Sequence, residues 1–344
     1  MANLTIENRP LCEILADVHQ QSGAPAMAIM TANSAGVTQI CVAGVRANGD
    51  SALLTKDDVW HLGSNSKAMT AALIGRYVSD GKARWDDRLG DIIGAATAGE
   101  YADVTYRDLL THRSGLTANA GLKTTMTLLG TDRARDVKAD RETYVKAVLA
   151  KPRGAEGFSY SNAGYTLAAH MLEVQQDSSF EHMIETRLFA TLGMESAGFG
   201  PPGIAGIIDQ PRGHMRGLFF GRLKPQHPPL ADNPPAINSA GRAHMNLTDY
   251  SKFLIDQMRG ANGADGTFLP PNIYGQLHRP NGDYAMGWGV SGDGTLSHSG
   301  SNTMWLVSAS IFAKHDLIVV VAANEGRIGH LQPYFKALEN AARR

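Results

Sequence analysis

Trp305-Leu306-Val307-Ser308-Ala309-Ser310-Ile311-Phe312-Ala313 and Leu317-Ile318-Val319-Val320-Val321-Ala322-Ala323 are two apolar runs rich in β-branched and small residues, with Lys314-His315-Asp316 between them. They read as two strands joined by a turn. The other end of the chain repeats the pattern: Ala26–Thr31 and Val37–Val45 flank a turn around Asn33–Gly36. Ahead of these, Leu11–Gln20 carries Leu11, Ile14, Leu15 and Val18 at helical spacing, and Gly23 and Pro25 end it. Pro333–Arg344 reads as a closing helix. Strands at both ends with helices between them imply one sheet built from both termini. The middle of the chain is then an inserted, mostly helical lobe. The boundaries implied are 1–75 and 270–344 for the sheet domain and 76–269 for the lobe. The fold class is α/β of the α+β type.

In the middle of the chain, Ser66–Val78 is a helix that stops before Gly81. Thr105–Leu110 opens with Thr-x-x-Asp ahead of two leucines, a variant of the capping box. Tyr165–Val174 and Phe180–Leu188 read as helices. Residues 200–238 are rich in Pro and Gly and read as a long surface loop with little regular structure. No internal repeat is seen.

Bulk properties narrow the function. The 344 residues are 43% hydrophobic and 19% charged, the composition of a globular protein. With 32 basic and 33 acidic residues the formal net charge is -1, so nothing draws the chain to nucleic acid or an anionic membrane. The mixed charges of Thr131–Lys138 read as a solvated face. No apolar stretch approaches the ~18 residues that a membrane span needs. Met1–Pro10 lacks the basic and apolar segments of a signal peptide, which points to the cytoplasm unless a leader was removed, and then to the periplasm. Cys12 and Cys41 are the only cysteines and form no C-x-x-C motif, which argues against a disulfide framework or a zinc site. One bridge between them is possible but has no support in the sequence. The 12 histidines form no metal-ligand spacing with a nearby acid. No cofactor and no metal are expected, and oligomeric state is left open.

Three short motifs carry chemistry. In Gly63-Ser64-Asn65-Ser66-Lys67, a helix beginning near Ser64 brings Lys67 one turn along the same face, within reach of the serine oxygen. Alone this is weak, because Ser79-Asp80-Gly81-Lys82 has the same spacing and reads as a helix end. In Tyr160-Ser161-Asn162, a phenol placed beside Lys67 shares a mobile proton with it, and Asn162 can donate to a substrate carbonyl. In His298-Ser299-Gly300, extended backbone supplies N–H groups. The backbone N–H groups of Ser64 and Ser301 are the expected oxyanion donors. Taken singly, each motif reads better as a turn, a helix end or a core residue.

Their order and separation change the weighing. Together with Trp60–Lys67, Leu109–Leu116, Phe158–Tyr165 and Tyr284–Gly289, they make the chain resemble the superfamily of class C β-lactamases, DD-peptidases and related esterases. The resemblance runs over nearly the whole chain. It implies an antiparallel sheet flanked by helices, an all-helical lobe beside it, and a site in the groove between them. It also implies Ser64 as nucleophile, Lys67 as its proton partner and Tyr160 as main general base, acting on a small ester, amide or peptide through an acyl-enzyme. His112 and Arg113 fall in a stretch that shapes the helical lobe. Class C enzymes carry Lys-Thr-Gly where this chain has His298-Ser299-Gly300, so a weaker, pH-dependent carboxylate anchor is expected at His298. Met304 and Trp305 either narrow one wall of the groove or face the core. An ester or amide hydrolase leads. DD-peptidase, D-aminopeptidase, β-lactamase and acyltransferase activities share the same intermediate, and a penicillin-binding sensor that stays acylated is the non-catalytic reading. An α/β-hydrolase is disfavoured, because no Gly-x-Ser-x-Gly occurs.

Overall fold

The computed structural model describes residues 9–129, 136–216, 221–228, 231–264 and 268–344. Residues 1–8 of the N-terminal segment, 131–135 of the charged stretch, and 217–220 and 229–230 of the Pro/Gly-rich loop lie outside the described residues.

Eleven strands are described: β1 (Ala26–Asn33), β2 (Gly36–Gly44), β3 (Val59–His61), β4 (Gly198–Phe199), β5 (His214–Arg216), β6 (Leu223–Pro225), β7 (Ala243–Asn246), β8 (Gly289–Val290), β9 (Leu296–Ser301), β10 (Leu306–Phe312) and β11 (Leu317–Ala323). Six of them form one antiparallel sheet in the order β2-β1-β11-β10-β9-β8. The two termini therefore meet at its centre, with Met27 opposite Ala323 and Ile29 opposite Val321.

β1 and β11 are buried on both faces. This is why they read as apolar runs and not as alternating strands. On one face Met27, Ile29, Val319 and Val321 meet Ile14, Leu15, Val18, Leu331, Phe335 and Leu338 of the helices Leu11–Ser22 and Ile328–Ala342. On the other, Ala28, Met30, Ile318, Val320, Val307 and Ala309 join a core that runs without a break into the helical segments. Each large side chain buried this way is worth about 1.5–3 kcal/mol. The helix Leu247–Ala261, which the sequence grouped with the lobe, packs against the strands of this sheet.

Local signals explain most element ends. Thr105 caps the helix Tyr106–Leu110 in a full capping box with Asp108. Gly23 closes the first helix in left-handed conformation. Three readings are corrected. The last helix begins at Ile328, not at Pro333. Pro333 sits in its second turn, where a proline removes a single bond to the carbonyl four residues back. The helix from Phe180 changes at Glu185 into a π-helical turn ending at Phe189. The Pro/Gly-rich segment contains a small hairpin, β5 against β6.

The cysteines answer a question that the sequence left open. Cys12 and Cys41 form a disulfide that ties the first helix to β2, with Cα atoms 5.1 Å apart. Spacing gave no hint, because packing of the helix across the sheet brings the two together. Closing a loop over a separation of 29 residues stabilises the chain by about 3–4 kcal/mol in the chain-entropy account. Reduction, or Cys41→Ala, is expected to lower the urea midpoint accordingly. An unchanged midpoint with and without reductant would mean the thiols are not joined in solution.

Candidate active site

Leu62 leads into a 3-10 turn, Gly63–Asn65, and this runs directly into the helix Ser66–Ser79. The turn is held from three sides. Asn65 Nδ2 donates to the carbonyls of Leu62 (2.8 Å) and Val307 (3.0 Å). Ser66 Oγ donates to the Gly63 carbonyl (2.7 Å) and accepts from the Ala243 N–H (3.0 Å). Ser64 is the only residue between Trp60 and Ser79's preceding turn at Gly75 that keeps partial exposure.

Lys67 is fully buried. Its Nζ lies 3.2 Å from Ser64 Oγ, 2.7 Å from Asn162 Oδ1 and 2.6 Å from the Ala240 carbonyl. No salt bridge to Lys67 is found among the described residues. Burial without an anion pushes its pKa well below the ordinary lysine value. A neutral amine has two N–H groups and one lone pair. The two carbonyl-type oxygens take the N–H groups, so the lone pair is left facing the Ser64 hydroxyl.

Tyr160 stands across from them, with Lys67 Nζ 4.8 Å from its ring centroid. Its hydroxyl interacts with Ser64, and desolvation raises its pKa to about 12. Ser161 caps the helix Asn162–Gln176 through the Gly164 N–H and fixes the Tyr160 backbone. Asn162 accepts from Lys67, while its Nδ2 donates to Asn119 Oδ1 (3.0 Å). Asn162 thus orients the lysine, a part that spacing did not suggest.

β9 forms the opposite wall. Its Gly300 lies so close to the serine turn that a Cβ there would be 2.0 Å from Leu62 O and 2.6 Å from Ser64 N. A Cβ on Gly63, whose φ is 52°, would be 2.4 Å from Ser301 N. The backbone amides of Ser64 and Ser301 thus approach one another across two positions that only glycine can fill.

Two expectations for this strand change. Ser299 turns its hydroxyl to Ser308 Oγ on β10 (3.0 Å), so its side chain serves the sheet and not the groove. His298 is buried, with Nδ1 3.1 Å from the Ser299 carbonyl and Nε2 3.3 Å from the Tyr284 hydroxyl. A carbonyl only accepts, so Nδ1 carries the proton and Nε2 faces the phenol as a lone pair. Burial, with Lys67 nearby, draws the His298 pKa down to about 3. The pH-dependent carboxylate anchor expected at His298 is absent, because the ring is neutral and both nitrogens are occupied. Trp305 is fully buried and stacks on His61 with centroids 5.3 Å apart, so it faces the core.

His112 does more than shape the lobe. It adopts φ 60°, accepts the Ser161 N–H at Nδ1 (3.0 Å), and lies 4.4 Å from the Tyr160 ring and 4.7 Å from the Tyr284 ring. Arg113 reaches the Asn281 carbonyl. The Ala240 carbonyl and Asn119 had no signal in spacing. Tyr284 had one, in the stretch Tyr284–Gly289. Among the described residues no group of three or more His, Cys, Asp or Glu side chains could hold a metal ion, and no helix is long and apolar enough to cross a membrane.

The close approach at Gly300 gives a test. Gly300→Ala is expected to lower turnover of an activated ester at least ~100-fold by displacing the serine turn, the scale of a lost oxyanion donor. Activity within a few-fold of wild type would show that β9 does not abut the turn.

The family model described as Beta-lactamase matches residues 13–333. "Penicillin-binding protein 4" of Amycolatopsis lactamdurans is 28% identical over 230 residues, which are 65% of this chain and 57% of that protein. The chain thus spans little more than half the length of this curated relative. Two solved structures share the fold. D-amino acid amidase from Ochrobactrum anthropi SV3 superposes with a TM-score of 0.76 at 19% identity, covering 96% of this chain and 97% of that one. EstCE1, described as a hydrolase with promiscuous acyltransferase activity, gives 0.77 at 16% identity, covering 97% and 98%.

Proposed function

Because the chain belongs to the β-lactamase family, we propose that it is a serine hydrolase of small uncharged esters or amides, working through an acyl-enzyme on Ser64. The observation that carries this is the Lys67 amine, buried without an anion and 3.2 Å from Ser64 Oγ.

In this reading Lys67 Nζ takes the Ser64 proton as Oγ attacks the substrate carbonyl. The N–H groups of Ser64 and Ser301 hold the oxyanion. Tyr160, kept protonated by its raised pKa, donates to the leaving group and is reprotonated from Lys67. Water then attacks the acyl-enzyme with Lys67 again as base. This reverses the expectation that Tyr160 is the main base: an amine with a depressed pKa is the easier proton acceptor, and a phenol near 12 the better donor. A phenol that donates also suits an amine leaving group, which favours amides as a second class beside esters.

The mouth of the groove limits the substrate. With His298 neutral and both its nitrogens engaged, a carboxylate gains no ionic partner from the Lys-Thr-Gly position. Expected turnover of p-nitrophenyl butyrate therefore exceeds that of a carboxylate-bearing cephalosporin by at least ~10-fold in kcat/KM, the cost of about 1.4 kcal/mol of lost binding. Faster turnover of the cephalosporin would overturn the substrate class.

Two further outcomes test the mechanism. Ser64→Ala is expected to reduce ester hydrolysis to background, and equal activity of the two proteins would remove Ser64 from the reaction. The base form of Lys67 exists above its folded-state pKa, which lies below the ordinary 10.5. kcat/KM is thus expected to rise with pH and reach a plateau before pH 10. A rate still climbing through that value would mean that Lys67 titrates as an ordinary lysine.

A further inference from the structure

Behind the groove lies a carboxylate that the mechanism does not use. The Asp232 side chain is fully buried. Its Oδ2 receives His61 Nε2 (2.8 Å) and Arg242 Nε (3.0 Å), and its Oδ1 receives Asn302 Nδ2 (2.9 Å) and the Asn233 N–H (2.8 Å). All its acceptor positions are filled, so it makes no contact with the groove itself.

Each of its three side-chain partners belongs to a different part of the site. His61 donates an Nε2–H hydrogen bond to Asp232, which leaves Nδ1 to accept the Gly63 N–H (3.2 Å), one residue before Ser64. Asn302 follows Ser301 directly, and its Oδ1 accepts the N–H groups of Met304 (3.1 Å) and Trp305 (3.3 Å), closing the turn after β9. That turn carries Thr303 at φ 75°, a conformation that needs such support. Arg242 ends the short helix Asn238–Gly241, where Nη1 also donates to Asn238 Oδ1 (2.6 Å), and this helix presents the Ala240 carbonyl to Lys67. His61 and Trp305 stack on one another, so two of the three branches are also locked together.

We propose that Asp232 is the positioning residue of the site: one buried carboxylate sets the distance between the Ser64 and Ser301 amides and the placement of the Lys67 acceptor. The proposal rests on the serine mechanism of the preceding subsection. Asp232 acts only through other residues. Its loss should slow the chemical step at each active site and leave substrate binding nearly unchanged. A merely structural role would instead reduce the number of working sites without changing the rate at each one.

The test is pre-steady-state acylation under excess p-nitrophenyl butyrate, in which burst amplitude counts working sites and burst rate reports each one. Asp232→Asn keeps the shape but sets an amide N–H against the Arg242 or His61 donor. It is expected to slow acylation about 100-fold, the scale of a misplacement near 1 Å, with KM within about threefold. Asn302→Ala, which removes only the link to Ser301, is expected to slow it at least ~10-fold. The double variant should be no more than about threefold slower than Asp232→Asn alone, because both lesions reach the same amide. A per-site rate in Asp232→Asn within about tenfold of wild type overturns the proposal. Should Asp232→Asn not fold, Asn302→Ala decides alone by its own tenfold threshold. Ser64→Ala is assayed in parallel. If it matches wild type, the serine reading fails. If it is dead while Asp232→Asn is fast, only the role of Asp232 fails.

Discussion

A lysine amine enclosed in protein with no anion beside it is the constraint on which the rest of this molecule depends. Desolvation favours its neutral form. The fold must then supply two carbonyl oxygens for its N–H groups and hold a hydroxyl against its lone pair. One oxygen comes from Asn162 at the start of a long helix, the other from Ala240 in a short helix far along the chain. The hydroxyl comes from a turn pinned between β7, just after that short helix, and β10 of the six-stranded sheet. Three distant segments must therefore agree on one position to a fraction of an ångström. The unbroken core between sheet and helices provides that agreement.

The sheet and its ends were legible because they rest on local physics. Apolar runs with β-branched residues, Gly23 after a helix and Thr105 with Asp108 each act within a few residues. Ser64, Lys67 and Tyr160 were legible as motifs, and the structure brings the three together. What sequence could not supply were partners set by tertiary packing. A backbone carbonyl such as that of Ala240 has no side-chain identity to read. The Cys12–Cys41 bridge and the orientation of Ser299 depend on which face of a strand meets which helix.

His298 is the instructive case. Its residue type suggested a group poised near neutrality, and a histidine in water would behave so. In place, its proton is committed to the next carbonyl and its other nitrogen to Tyr284. The environment, not the residue type, fixes the charge. In the proposed mechanism Tyr160 and Lys67 exchange their expected roles for the same reason, since burial moves a phenol up and an amine down.

The pairing of β1 with β11 also governs how the molecule comes into being. The Ala26 N–H is held by Asn324, 298 residues later in the chain. The central contact of the sheet is thus among the most non-local it can make, and such closures are slow. Before the last strands arrive, β1 has only β2 beside it and the wall formed by β9 has nothing to rest on. Assembly of the walls around Ser64 is therefore a late step of folding, completed only when the final strands dock.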